Sequence, residues 1–173
     1  TERVAAAYRP PGGSEYLAGL LHDCGKLVLE HYFPEDFDRI IIRATERACG
    51  HVLVEKEFIG VSHAQIGAAI CECLQAHLEV IRGVWYHHEP FDQSLEGQPD
   101  NSKFLAACVS VADALANYKQ LNIFGARIMD YEQPFDELPE WKFLGQYQMS
   151  YGLELDLDLE LEKAREDLKS FGM

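Results

Sequence analysis

The sequence predicts an all-α fold, a multi-helix bundle with little or no sheet. Three observations predict it. Apolar residues recur at three- and four-residue spacing in most segments, the mark of helices that bury one face. Helix-start and helix-stop signals separate those segments. The composition, 47% apolar and 25% charged over 173 residues, is that of a globular chain with a core large enough for one domain.

The elements follow in order. Thr1–Tyr8 has helical composition without a start signal and runs into the breaker Arg9-Pro10-Pro11-Gly12-Gly13. This reads as the last turns of a helix whose beginning lies upstream, or as a short frayed turn. Ser14 is placed to cap the next helix, with Leu17, Leu20 and Leu21 at helical spacing and Gly25 available for a bend or a close backbone approach. Pro34-Glu35-Asp36 starts another helix with Phe37, Ile40, Ile41 and Ala44 on one side, ending at Cys49-Gly50-His51. Residues 52–60 fit a short strand or a helix equally well.

Ser62-His63-Ala64-Gln65 is a capping box, with Val61 and Ile66 placed as its staple. A helix then carries Gly67, Ile70, Cys73 and Leu74. His77–His88 holds Leu78, Ile81, Val84 and Trp85 at helical spacing, and Glu89-Pro90 stops it. Residues 90–101 are a turn-rich loop. Asn101 or Ser102 caps a helix with Leu105, Cys108, Val109, Ala112 and Ala116 on one face. Pro139–Gln148 predicts a short helix. The alternation Leu153–Leu161 imitates a strand, but Leu161, Ala164, Leu168 and Phe171 follow the helical period from about Asp158 on. The tail from Glu154 to Phe171 is either a helix closing the bundle or a contact helix for a partner or a second copy, a homodimer.

Charge and cysteine usage narrow the class. Lys+Arg number 15 against 29 Asp+Glu, a net charge of −14. Such a chain lacks the basic footprint of a nucleic-acid binder and is repelled by anionic membrane surfaces. No apolar run approaches the roughly 18 residues of a membrane span. The five cysteines are an odd number, and those in apolar segments read as small core residues, which points to a reducing compartment, the cytoplasm.

Six residues are of the types that hold divalent metals: His22, Asp23, His63, His87, His88 and Asp113. Asp113 sits among Val109, Val111, Ala112, Ala114 and Leu115, where a carboxylate needs a cation or several hydrogen bonds. Arg82 or Lys26 would also serve as its partner. His22 and Asp23 diverge by about 100° on a helix and can serve two ions, or one approached from two sides. A lone histidine is more often a structural residue, which is the reading for His31, His51 and His77. Lys26 lies one turn after Asp23 and is either a phosphate-binding point charge or a solvated lysine.

Four blocks of the chain resemble the HD superfamily. Gly19-Leu20-Leu21-His22-Asp23-Cys24-Gly25-Lys26-Leu27 resembles its G-L-L-H-D-x-G-K-L signature. Gly60-Val61-Ser62-His63-Ala64-Gln65-Ile66-Gly67-Ala68 is similar to the matching segment of the HDOD branch, and His87-His88-Glu89-Pro90 and Val111-Ala112-Asp113 follow in the family's order. The resemblance spans about residues 14–118. It implies an HD-like helical bundle forming the C-terminal portion of an HDOD-like domain, with 14–118 as the motif-bearing core, 119–173 as a helical extension, and further helices upstream of residue 1.

The same resemblance implies a signalling output or regulatory module, joined to other signalling domains or proteins, with catalysis impaired or lost. The alternative it implies is a metal-dependent phosphohydrolase acting on a small nucleotide or phosphate ester. The implied cofactor is a divalent ion, Fe, Mn, Mg or Zn, on His22, Asp23, His63, His87, His88 and Asp113, with Lys26 on phosphate. Catalytic relatives carry a further histidine on the helix before the His-Asp pair, and Thr1–Leu21 has none. HD-GYP phosphodiesterases continue His-His-Glu into Gly-Tyr-Pro. This chain runs His87-His88-Glu89 into Pro90-Phe91-Asp92 without it, which argues against cyclic di-GMP hydrolysis of that type.

Overall fold

The computed structural model describes residues 1–98, 101–118 and 137–147, with single positions at 156, 159, 162, 163, 166 and 169. Nine α-helices and one short 3₁₀ turn occur among the described residues, and no strand. The helices are α1 (Glu2–Ala6), α2 (Ser14–Leu21), α3 (Cys24–Tyr32), α4 (Pro34–Arg47), α5 (His51–Phe58), α6 (His63–Cys73), α7 (Leu78–Trp85), α8 (Ser102–Tyr118) and α9 (Pro139–Leu144). None is long and apolar enough to cross a membrane.

The fold is an HD-like helical bundle built around α8. One face of α8 places Leu105 and Val109 against Ala18 of α2, Ala68 and Cys71 of α6, and Val80 and Val84 of α7. Its other face packs Phe104, Ala107, Cys108 and Val111 on Val4 and Ala5 of α1 and Leu144 of α9. Ile40 and Ala44 of α4 meet Val54 of α5 in a smaller cluster. Burying each large apolar side chain contributes on the order of 2 kcal/mol.

Several helix ends follow from the residues named above, and several do not. Pro34 opens α4 with Glu35 and Asp36 in its first turn. Ser62 caps α6 through the full reciprocal box with Gln65. Ser14 does not cap α2: Gly13, at φ +95°, takes that position, and the Ser14 hydroxyl donates instead to Glu79 Oε1 at 2.5 Å. Ala48 ends α4 in the left-handed region, and His51 opens α5 rather than closing α4. The ambiguous stretch after it is helical through Phe58. α7 stops at Trp85, so His87 and His88 lie in the turn beyond it.

The largest difference falls at His22 and Asp23. They do not ride on one continuous helix but form the break between α2 and α3. Asp23 occupies the N-cap of α3 without capping it. An aspartate there ordinarily contributes about 1 kcal/mol by accepting from the first turn. Here its carboxylate faces a cluster of imidazoles instead. Gly25, two residues on, passes so close to α6 that a Cβ at this position would lie 2.0 Å from the carbonyl oxygen of His63. The tail positions Leu161, Ala164, Leu168 and Phe171 lie outside the described residues.

Candidate metal centre

All six predicted ligand residues gather in two adjoining groups that share Asp23. The α2–α3 break supplies His22 and Asp23, the capped first position of α6 supplies His63, the turn after α7 supplies His87 and His88, and the middle of α8 supplies Asp113. Ligand atoms of Asp23, His63, His87 and His88 all lie within 4.8 Å of one another, and so do those of His22, Asp23 and Asp113. Asp23 belongs to both sets.

Three of the four rings are held by their outward nitrogens. His22 Nδ1 lies 2.8 Å from the Gly19 carbonyl oxygen, His87 Nδ1 lies 2.7 Å from that of Val84, and His63 Nδ1 lies 2.8 Å from both oxygens of Glu55. Each oxygen can only accept, so each Nδ1 carries the proton and donates. The inward Nε2 is then the atom free to offer a lone pair. His63 Nε2 lies 3.2 Å from Asp23 Oδ1 and 3.0 Å from His88 Nε2. His87 Nε2 lies 4.0 Å from Asp23 Oδ1, and His22 Nε2 lies 3.6 Å from Asp23 Oδ2 and 3.7 Å from Asp113 Oδ1. Donors about 2.1 Å from a common ion lie roughly 3–4 Å apart, which is this spread.

A divalent ion fits these residues. Asp23 Oδ1 and His87 Nε2 are buried and make no well-formed hydrogen bond. Burying polar atoms in that state costs on the order of 1–3 kcal/mol each, and a cation between them removes the cost. Four imidazoles with two carboxylates suit Fe, Mn or Zn better than Mg, whose preference is for oxygen.

Glu55 is the residue that sequence reasoning missed. Glu55 is fully buried and accepts from both the His63 backbone N–H and its Nδ1–H, each at 2.8 Å. A carboxylate behind a ligating imidazole fixes the ring and raises its basicity. His51, four residues earlier on the same helix, is buried with neither ring nitrogen hydrogen-bonded. Burial, reinforced by Lys26, pushes its pKa down to about 4. The available signal was an acid between Val54 and Phe58, a buried position once residues 52–58 are read as helix, which the strand-or-helix ambiguity of residues 52–60 concealed. Replacing Glu55 by glutamine should weaken divalent-metal affinity roughly 10- to 100-fold, measured by titration calorimetry. Unchanged affinity would remove Glu55 from the site.

Lys26 is not a solvated lysine. Its side chain is 16% exposed, and Nζ donates to Asp23 Oδ2 at 2.7 Å. Asp113 pairs with neither Arg82 nor Lys26. It accepts from Asn117 Nδ2 at 3.0 Å and faces His22. Both His87 and His88 join the cluster, their ring centroids 4.0 Å apart.

A profile of the HDOD domain matches residues 2–90 of this chain. The chain belongs to the HDOD family. The HDOD match takes in five of the six candidate ligands, and Asp113 lies beyond it. An uncharacterized protein of Treponema pallidum (strain Nichols) is 27% identical over 124 residues, 72% of this chain and 21% of that protein. This HDOD chain thus spans about a fifth of that relative's length. A crystal structure of an HDOD domain protein with unknown function from Geobacter sulfurreducens superposes with a TM-score of 0.64. It is 21% identical and covers 90% of this chain and 50% of that one, a likeness of fold.

The electrostatics of the HDOD cluster set its proton balance. Burial alone would raise the Asp23 carboxyl, but the His63 ring and the charges of His22 and Lys26 hold it far below the usual carboxylate range. Burial opposes charge on His22 and His63 too. Asp113 and Asp23 beside His22, and Asp23 and Glu55 beside His63, overcome it and raise both. His87 is lowered by burial and by the neighbouring rings, and His88 by desolvation and by His63 and Lys26. His22 and His63, beside the carboxylates of Asp23, Asp113 and Glu55, are therefore the rings of the cluster that most favour a proton.

Because an ion competes with the protons that the neighbouring carboxylates favour on His22 and His63, its uptake should release protons and its affinity should rise with pH. Calorimetry in buffers of different ionisation enthalpy measures this, and proton-free uptake would contradict it.

Proposed function

We propose that this HDOD domain is a divalent-metal centre acting on a small phosphate ester, serving as an output module within longer signalling proteins. The observation that carries the reading is the convergence of four Nε2 atoms and two carboxylates from four separate parts of the chain, three of the rings anchored from behind. Asp23 would be shared between the set with His63, His87 and His88 and the set with His22 and Asp113.

A bound divalent ion would supply Lewis-acid charge for the phosphoryl group and make water more acidic. The chain's own residues do the rest. Gly19, Val84 and Glu55 hold the rings in the tautomer that presents Nε2. Lys26, beside Asp23 Oδ2, holds a point charge where a phosphoryl oxygen would approach. The net charge of −14 disfavours long nucleic acids and anionic membranes as partners. The described cysteines are free thiols, in keeping with a reducing cytoplasm.

A second reading, ligand-holding without turnover, is favoured by the absence of Gly-Tyr-Pro after His87-His88-Glu89. One experiment separates the two. The chain is loaded with Mn²⁺ or Fe²⁺, its metal content determined, and phosphate release followed on a panel of small phosphate esters. Release abolished in His22→Ala supports turnover. Metal uptake without release supports the regulatory reading. Less than about a tenth of an equivalent of bound metal, with no uptake by calorimetry, overturns both.

A further inference from the structure

A cavity of about 550 Å³ adjoins the metal centre, and His88 and Asp113 form part of its wall. These two residues come from different donor sets, so both sets open onto the same space. The volume is that of a site for one small molecule, not for a polymer. Most of the remaining wall is apolar: Val52 and Leu53 come from α5, Ala114 from α8, and Leu138 and Pro139 from the start of α9, with Ser110 of α8 adding one hydroxyl. Leu53 is 55% exposed overall, an apolar side chain held at a cavity mouth. The charged lining residues include Lys56, which donates to Glu89 at 3.3 Å, and Glu140.

We infer that this cavity selects the organic part of the substrate, and that the substrate is a phosphomonoester of a small apolar alcohol, aryl or alkyl. The inference rests on the metal-centre reading above. A phosphoryl group held at His88 and Asp113 leaves the ester substituent no nearby surface but the cavity wall. Val52, Leu53, Leu138 and Pro139 offer a hydroxyl-rich group such as a sugar no side-chain hydrogen bond, and the single hydroxyl of Ser110 cannot satisfy several, so most of its desolvation would go uncompensated there. An apolar group gains by leaving water. Among the charged lining residues away from the cluster, Glu89 and Glu140 outnumber Lys56, which disfavours a second phosphate and hence oligonucleotides.

The test uses phosphonates, whose P–C bond resists hydrolysis, so binding is read without turnover. The Mn²⁺-loaded chain is titrated by calorimetry with methylphosphonate, 2-hydroxyethylphosphonate and phenylphosphonate. Phenylphosphonate should bind about tenfold or more tighter than the other two. Val52→Phe, which narrows the cavity, and Leu53→Gln, which makes its mouth polar, should each remove most of that gain. Metal stoichiometry and methylphosphonate affinity should stay unchanged in both. Equal affinities for the three probes, or a phenyl preference that survives both substitutions, would overturn the cavity assignment while leaving the metal centre standing. A chain that binds neither Mn²⁺ nor any phosphonate would overturn both.

Discussion

An Asp23→Ala chain is expected to lose divalent-metal binding altogether, a fall in affinity of more than about 100-fold. The reason is its shared position. Asp23 Oδ1 faces His63 and His87, and Oδ2 faces His22 and Lys26. Removing the carboxylate therefore takes the common member from both donor sets. It also leaves Lys26 beside two imidazoles with no intervening anion, a repulsion that opposes a further cation. Losing a carboxylate that only supports a ligand typically costs 10- to 100-fold, and a bridging one costs more. Asp113→Ala makes the contrast: it removes a member of the His22 set and leaves Asp23, His63, His87 and His88 in place. Its expected result is reduced stoichiometry or weakened binding, not abolition. Elemental analysis and calorimetry on the two variants decide it, and stoichiometric metal in Asp23→Ala would contradict a shared centre.

Gly25→Ala should be the most destabilising single methyl in the chain's site region. The added Cβ would stand 2.0 Å from the His63 carbonyl oxygen and 2.9 Å from its Cα. Both are backbone atoms, so no rotamer change relieves the clash, and α3 must move away from α6. Overpacking of this kind costs about 3 kcal/mol or more. For a chain of this length that is roughly 6–12 °C in Tm. The same shift pulls His63 away from Asp23, so metal affinity should fall with stability. Gly12→Ala serves as the control, because a Cβ there meets nothing within 4 Å. A Gly25→Ala chain that melts within about a degree of the parent would show that the two helices do not need this approach.

Much of the fold can be read in the sequence because helix signals are local. The Ser62–Gln65 box and the Pro34 start need only neighbouring residues to act, and both operate in the structure. Ser14 failed as a cap because Glu79, distant in sequence, competes for its hydroxyl. The turn holding His87 and His88 escaped detection because apolar spacing continues to Trp85 and gives no sign of where the helix stops. Residues 52–58 are helical because Val54 packs on Ile40 and Ala44, contacts that local pattern cannot weigh.

The candidate site divides the same way. The sequence alone determined which side chains have metal-binding chemistry, their order along the chain, and that an acid at position 113 amid apolar neighbours needs a partner. Tertiary structure decided which partner it has. It broke the helix at His22-Asp23, turned an N-cap carboxylate inward, set Lys26 on Asp23, and placed Glu55 behind His63. Periodicity reports which face of one helix is buried, whereas donor distances depend on how several helices cross, and here that crossing turns on a glycine with no Cβ to keep α3 from α6.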